Sequence, residues 1–416
     1  MLFKFLRYVI LYLACISYLP VLAQDTISAS LPAIWDLETC LQYARDNNIQ
    51  INRLRLDRES SEQNLLLSKS AMLPDLRGSA SQSFNHRGNG SGPVIGASGS
   101  YGLSSSLTLY NDGYFGADIR QKNLILQSAG LDLLAAENDI TLQITQAYLT
   151  ILLDKENIVY AQDLVSTSQA QLAQMRRSFD VGSSARKDVV QLEAQLAGDQ
   201  YTLTSSQNAE RQDKLNLKQL LQIPTVTSFD IVKPDTIVSK SLVPSLQQVQ
   251  NFALQNRPEI KNAELGMDIS GLDLEKARTA YKPTISLGGD IGTSYNNNAF
   301  NFRQFDNNFF QQVGLTLSVP IFTKRLTKTN VEQAKISIKQ SELTLKDTRT
   351  VLLQAVEQAY IDVLNAQNQY NAAAEQLQYT QEIYRIANEE LRLGAINIVD
   401  FYLQRNLYVQ ALQAYT

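Results

Sequence analysis

The sequence predicts a mainly α-helical fold with a smaller β portion, built as two tandem copies of one unit. No proline occurs between Pro93 and Pro224 or after Pro320, so long helices can run there without interruption. The stretch "FDVGSSARKDVV" at 179–190 has a counterpart in "LRLGAINIVDF" at 391–401. In both, a glycine is followed six positions later by an aspartate. A turn that occurs twice between helical tracts indicates duplication.

The chain begins with a predicted secretory signal peptide, residues 1–23. Lys4 and Arg7 precede an apolar centre, and the small residue Ala23 stands before a polar stretch. This pattern predicts cleavage after Ala23 and export of the mature chain. Cys15 raises lipidation as an alternative, although apolar sequence continues past it.

Charge and composition exclude several classes of function. A formal charge of −4 with scattered Lys and Arg gives no basic stripe for nucleic acid. His86 is the single histidine, and Cys40 is the single cysteine after the signal peptide. The sequence therefore offers almost no side chains for metal binding or for acid/base catalysis by histidine. We expect no enzyme, no cofactor, no metal site and no nucleic-acid partner, and we expect Cys40 to be a small core residue.

The two copies align at a nearly constant offset. Gly394 lies 212 positions after Gly182 (394 minus 182), and Asp400 lies equally far from Asp188. Further matched segments are "QAY" at 146–148 and 358–360, and, at an offset of 209, residues 36–51 and 245–260. One unit has thus been duplicated, with a length change in a loop.

The alignment divides the mature chain into three parts. The first repeat is expected at 24–221 and the second at 245–416. Residues 222–244, rich in Pro, Val and Thr, break the helical periodicity and are expected to be a linker with room for short strands.

Each repeat is predicted to contain two long antiparallel helices joined by a tight turn. Apolar residues recur at helical spacing from about 112 to 179, and a second helical pattern follows Gly182. Glycine suits the left-handed position that ends a helix. Asp188 then falls in the first turn of the next helix, where a carboxylate faces free N–H groups. The turns are expected at 180–188 and 392–400.

The last helix is expected to be short. The first copy continues for 33 residues from Asp188 to Leu221, whereas 16 residues follow Asp400. Either the chain is truncated or the final helix pair closes differently.

A β-hairpin is predicted before each helical pair, at about 76–110 and 284–322. The first is rich in Gly and Ser, and in the second Val313, Leu315 and Leu317 alternate with small or polar residues. Strict alternation gives one apolar and one polar face. One such segment alone would suit a soluble sandwich. Aromatic residues stand near the strand ends: Phe84, Tyr101, Tyr295, Phe300, Phe302, Phe309 and Phe310.

Two alternating hairpins in an exported chain, with these aromatic residues, favour a wall in the outer membrane with aromatic girdles. Four strands cannot close a barrel, and open edges would leave backbone groups without partners in lipid. The membrane interpretation therefore requires several chains to pool their strands.

Together, the signal peptide, the duplicated order of helix, hairpin and long helical pair, and the Gly-to-Asp turn in both copies resemble the TolC-like outer-membrane efflux proteins. The resemblance covers about residues 30–416. It implies a homotrimer whose twelve strands form a β-barrel in outer-membrane lipid, while the helices form an α-barrel tunnel across the periplasm. It also implies a passive channel of a tripartite efflux or secretion system. A periplasmic membrane-fusion adaptor would open the channel, and an RND-type or ABC-type inner-membrane pump would feed it.

The resemblance gives the two turns a role at the periplasmic tip. Val181 and Gly182 in the first turn, and Leu393 and Gly394 in the second, match the turns on which the adaptor docks. Two such turns per chain imply a six-fold docking ring in a trimer. The exported substrate stays open between drug or metal efflux and type I protein secretion.

Two acidic residues match positions beside the closed pore, Asp188 and Asp400. Helix capping alone is the alternative role for both. Leu403 stands where relatives often have a second acid, and Leu391 and Ile396 stand near the positions of aromatic and basic residues that lock the gate. The usual ionic latch is therefore in doubt.

A second class of protein shares the helical composition: an exported structural coiled-coil protein without channel activity. Such a protein has no need for duplicated alternating hairpins, which favours the channel.

Overall fold

The computed structural model describes residues 32–86, 95–224, 227–233, 243–297 and 303–415. The signal peptide expected at 1–23, with Cys15, lies outside these residues, as do Phe300 and Phe302.

The first copy contains four helices and three strands within the described residues. In chain order these are β1 (Ile34–Trp35), α1 (Leu37–Asn47), α2 (Ile49–Ser70), β2 (Arg77–His86), β3 (Ile95–Tyr110), α3 (Tyr114–Asp180) and α4 (Arg186–Leu221). Side chains cap the short helices: Asp36 accepts the N–H of Thr39 at 2.8 Å, and Asn48 accepts the N–H of Gln50 at 2.9 Å.

A short strand, β4 (Asp230–Ile231), lies between the copies. The described elements of the second copy are α5 (Leu246–Asn256), α6 (Pro258–Thr279), β5 (Thr284–Asn297), α7 (Arg303–Asn307), β6 (Phe310–Ser318), α8 (Leu326–Leu393) and α9 (Ile398–Tyr415). The order of helix, hairpin and long helical pair therefore repeats, apart from the extra turn α7. The last helix has 18 residues, whereas its counterpart α4 has 36.

The two longest helices dominate the molecule. Helices α3 and α8 have 67 and 68 residues, which corresponds to lengths on the order of 100 Å. Neither helix contains an internal proline, which would interrupt the backbone hydrogen bonds. Within the described parts of the chain, no helix combines the length and the apolar character needed to cross a membrane.

The hairpins form one antiparallel sheet in the order β2, β3, β5, β6. The register places most apolar side chains on one face and most polar side chains on the other, because residues directly opposite each other point the same way. The apolar face includes Leu103, Leu107, Ile285, Leu287, Ile291, Val313, Leu315 and Leu317. The polar face includes Ser79, Ser81, Ser83, Ser98, Ser100, Ser104, Ser106, Ser286, Asp290, Ser294, Gln312, Thr316 and Ser318. The predicted alternation is confirmed, and Val313 is 80% exposed in the single chain.

Three details of the sheet differ from expectation. The second hairpin ends at Ser318 rather than at about 322, because Pro320 has no N–H for a ladder. The register between β3 and β5 shifts between Thr108 and Tyr110, so the alternation is interrupted there. Phe310 lies opposite Gly292 on the polar face, and a Cβ on Gly292 would be 3.0 Å from its ring. It therefore does not join the aromatic residues of the apolar face.

An apolar core forms around the middle of α3 and the C-terminal end of α4. It includes Trp35, Cys40, Ala44, Ile51, Ile140, Ile144, Tyr148, Ile151, Leu152, Leu217, Leu221, Ile223 and Ile231. Cys40 is fully buried, as predicted, and burial raises the pKa of its thiol to about 12. Strand β4 pairs in parallel with β1, and Lys155 forms an ion pair with Asp230 at 2.8 Å. Strand β4, which follows α4, is thereby held against β1 at the beginning of the first copy and against α3.

Candidate functional site

The first candidate turn connects α3 to α4. The N–H of Val181 donates to the carbonyl of Arg177 at 3.2 Å, and the N–H of Gly182 donates to that of Phe179 at 2.9 Å. Gly182 has a φ of +76°, in the left-handed region. No heavy atom lies within 4 Å of a Cβ built on this residue, so glycine is favoured here by the backbone conformation and not by a lack of space. The side chain of Val181 is 79% exposed at the end of the turn.

The second candidate turn connects α8 to α9 and has the same geometry. Gly394 has a φ of +72°, and its N–H donates to the carbonyl of Leu391 at 3.1 Å. The N–H of Ala395 donates to the carbonyl of Glu390 at 2.8 Å. Leu393 is 72% exposed. The prediction of a left-handed glycine at the end of each long helix is therefore confirmed in both copies.

The two aspartates stand at the start of the following helices. Asp188 is half-buried, and its side chain accepts the N–H of Ala185 at 3.2 Å. Asp400 is exposed and accepts the side-chain amide of Asn397, whose own oxygen accepts the N–H of Asp400 at 2.9 Å. Both carboxylates thus take part in helix capping and place a negative charge at a helix N-terminus. Ala185 has no side-chain acceptor, so the first cap is only half of a capping box.

A shared apolar cluster lies beneath both turns. Its buried members come from both copies: Leu172, Val189, Leu192, Ala387, Phe401 and Tyr402. Leu391 and Ile396 pack against it, so the positions where the resemblance calls for gate-locking partners hold apolar contacts instead. Tyr384 stacks on Tyr408 with ring centroids 4.9 Å apart. The cluster holds the two turns next to each other within one chain.

A buried ion pair lies beside this cluster, and the sequence did not predict it. The Arg405 guanidinium donates to Asp199 Oδ2 at 2.7 Å and to Ser168 Oγ at 3.2 Å. Gln195 donates to the other oxygen of Asp199 at 2.9 Å. Arg405 is 1% exposed and Asp199 is 6% exposed. This ion pair connects α9 of the second copy to α3 and α4 of the first, because Ser168 lies on α3 and Asp199 on α4.

The repeat alignment contains a signal for this pair, although a weak one. The position 212 before Arg405 is Glu193, and the position 212 after Asp199 is Ala411. The two copies therefore differ in charge at both positions. A charge that lacks a counterpart in the other copy is a reason to look for a contact between copies. The partner itself follows only from the packing of the helices.

The described residues contain no group of three or more His, Cys, Asp or Glu side chains that could hold a metal ion. The candidate site consists of the carboxylates of Asp188 and Asp400 and the exposed apolar side chains of the two turns. Such a site can dock a partner or influence the passage of ions.

Fold and site together define a membrane channel with a long helical part. The chain belongs to the outer membrane efflux protein family, whose model matches residues 40–221 and 249–416. The two matched segments follow the two copies closely.

Individual proteins of known name support this assignment. The chain is 24% identical over 360 residues to "Outer membrane protein TolC" of Vibrio cholerae, covering 84% of this chain and 79% of that protein. It is 24% identical over 218 residues to "Proteases secretion protein PrtF" of Dickeya chrysanthemi, covering 50% and 45%. The crystal structure of the Campylobacter jejuni CmeC outer membrane channel matches with a TM-score of 0.78 and 20% identity, covering 91% of this chain and 81% of that one.

This protein is therefore an outer-membrane channel of an efflux or secretion system, located in the outer membrane and extending into the periplasm. Its fold is the helical tunnel with a β-barrel portion. The family is one of transport proteins and not of enzymes, and its channels assemble with adaptor and inner-membrane pump partners. The alternative of an exported structural coiled-coil protein is not favoured.

Proposed function

We propose that three copies of this chain form one passive conduit, with repeats at 24–221 and 245–416, a linker at 222–244 and a cleaved signal peptide at 1–23. Each chain contributes four strands to a twelve-stranded barrel in outer-membrane lipid. The sheet supports this proposal because β2 and β6 are edge strands of the described sheet, and open edges in lipid would leave backbone groups without partners. Its exposed apolar face suits hydrocarbon.

The two turns are proposed as the surface on which a periplasmic membrane-fusion adaptor docks. The observation that carries this proposal is their shared geometry over one apolar cluster. Val181 and Leu393 would be the contact residues, because both side chains are apolar and largely exposed. Gly182 and Gly394 would fix the shape of the turns. An RND-type or ABC-type pump in the inner membrane would supply the exported substrate to the conduit.

Asp188 and Asp400 are proposed to line the pore constriction at the periplasmic end. Both lie directly after the turns, where three chains would bring six carboxylates around one axis. Helix capping and pore lining are compatible, because a carboxylate that caps a helix with one oxygen can face solvent with the other. The conduit would have no catalytic chemistry of its own, and these charges would contribute to its ion selectivity.

Docking is tested with two charge substitutions and a matched control. Val181→Asp and Leu393→Asp place a carboxylate where an apolar contact is expected. We expect trimers of normal yield, measured by mass in mild detergent, but at least a tenfold loss of adaptor cross-linking, equivalent to about 1.4 kcal/mol. Val181→Leu keeps the apolar contact and should cross-link normally. Normal cross-linking by both Asp variants would contradict the docking surface, and a monomer in the mass measurement would contradict the barrel.

The pore role is tested with Asp400→Ala in planar bilayers, because this change removes three carboxylates from a narrow ring. Conductance should rise or cation preference should fall, whereas Asp400→Glu should retain the behaviour of the unmodified channel. Unchanged conductance and selectivity in Asp400→Ala would leave Asp400 as a helix cap alone.

A further inference from the structure

The polar face of the sheet has a row of side chains that crosses all four strands. Arg77 on β2 lies opposite Ser104 on β3, Ser104 lies opposite Asp290 on β5, and Asp290 lies opposite Gln312 on β6. Asp290 is the one acidic residue in the sequences of the four strands as described. It is exposed, near the middle of its strand.

The cation of this row is already neutralised by another carboxylate. Arg77 Nε donates to Asp75 Oδ2 at 2.8 Å. Asp75 is itself held in place, because its other oxygen accepts the backbone N–H of Ser106 at 2.7 Å and the hydroxyl of the same residue at 2.9 Å. The Arg77–Asp75 pair therefore has no net charge, and Asp290 gives the row a net charge of −1.

The surroundings of Asp290 on its own face leave the carboxylate open to water. Its cross-strand neighbours Ser104 and Gln312 are neutral, and Gly288 and Gly292 flank it along the strand on the same face. A Cβ on Gly288 would meet no heavy atom within 4 Å. Charged residues in membrane segments are stable where they face a water-filled cavity, which is the side opposite the apolar face.

We propose that Asp290 forms a ring of three carboxylates inside the β-barrel and gives the conduit a second preference for cations, separate from its periplasmic tip. This inference rests on the proposed trimeric channel. Twelve strands about 4.8 Å apart and tilted by about 40° close at a backbone radius of about 12 Å. The carboxylates then stand about 9 Å from the axis, within the Debye length of about 10 Å at 0.1 M salt. The ring therefore acts across the whole lumen at that salt concentration.

Reversal potentials in planar bilayers under a salt gradient test the ring. Asp290→Asn keeps the size of the side chain and removes the charge, so the cation-to-anion permeability ratio should fall about fivefold near 0.1 M salt. The fall should vanish near 1 M, where the Debye length is about 3 Å. Asp290→Glu keeps the charge and is the matched control. Each variant is measured both with Asp400 present and in the Asp400→Ala background. The selectivity of the periplasmic tip then cannot hide a change in the selectivity of the barrel.

A second variant should move the ratio in the opposite direction. Arg77→Gln leaves the Asp75 carboxylate without its cation, which adds one net negative charge per chain, so cation preference should increase. Opposite shifts in Arg77→Gln and Asp290→Asn support the ring. If the purified protein conducts as a trimer and Asp290→Asn leaves the ratio unchanged with both tips, the inference is wrong and the proposed function stands. If the unmodified protein forms no conducting trimer, the proposed function is wrong and the ring is lost with it.

Discussion

The two copies of the repeat have the same turn and different interiors. Gly182 and Gly394 have nearly equal left-handed φ values, +76° and +72°. The first copy buries two carboxylates on its long helices, Asp154 and Asp199. The positions 212 later are alanines, Ala366 and Ala411. The backbone geometry of the turn is therefore the same in both copies, while these two buried carboxylates occur only in the first.

This difference shows how a duplicated unit can form a contact between its halves. The positive partner of Asp199 is Arg405 in the second copy, whose counterpart in the first is Glu193. A buried charge without a partner is strongly destabilising. The pair therefore favours the arrangement in which α9 of the second copy packs against α3 and α4 of the first.

The largest expected effect comes from breaking this contact. Arg405→Leu leaves Asp199 buried without its cation, which should lower the free energy of unfolding by about 3–5 kcal/mol. The measurement is unfolding by urea in mild detergent, followed by the loss of the circular dichroism signal of the helices. The double variant Arg405→Leu with Asp199→Leu removes both charges and should recover most of the loss. The prediction is wrong if Arg405→Leu hardly changes the free energy of unfolding, or if the double variant is no more stable than the single one. Either result would show that the ion pair between the copies does not contribute to stability.

A smaller effect is expected at Asp154, where burial, followed by the neighbouring Asp213 and Glu210, raises the pKa to about 6 from an ordinary value of 3.8. The folded state favours the protonated acid, so its contribution to stability is present below about pH 3.8 and is lost as pH rises through 6. Asp154→Asn should therefore stabilise the protein by about 1–3 kcal/mol at pH 7.5 and hardly change it near pH 3.5.

Thermal unfolding at both pH values measures this effect. Ala366→Asp is the matched control, because it places the same acid at the exposed counterpart position in the second copy. Its effect should stay within about 0.5 kcal/mol at either pH. Equal responses at the two positions would mean that the interiors of the copies do not differ electrostatically.

The smallest effect on stability is expected at the glycines, where the copies are alike. Gly182→Val and Gly394→Val each force a β-branched residue into a left-handed conformation, at about 1–2 kcal/mol of local strain. Trimer yield should stay near normal, whereas export and adaptor cross-linking should fall in both variants. Export assays compare the two turns directly. A loss of export in only one of the two variants would show that the turns do not have equivalent functions.

The sequence predicted the features that depend on local pattern. Helical spacing and the absence of proline located α3 and α8, and the duplicated glycines located both turns within one or two residues of where the long helices end. The interruption between Thr108 and Tyr110 escaped prediction because a bulge depends on how two strands pair. The contact between Arg405 and Asp199 escaped for a similar reason, since it joins residues 206 positions apart through helix packing.

The pairing of β1 with β4 bears on the order in which the protein takes shape. Every residue of the core around Trp35 and Cys40 lies before residue 232, so this core needs only the first copy and the short strand that follows it. The cluster beneath the turns instead needs Phe401 and Tyr402, near the far end of the chain. As an exported chain emerges from its N-terminus onward, the first core can close while most of the second copy is still being translocated. We therefore expect the second copy to dock against a first copy whose own core has already formed.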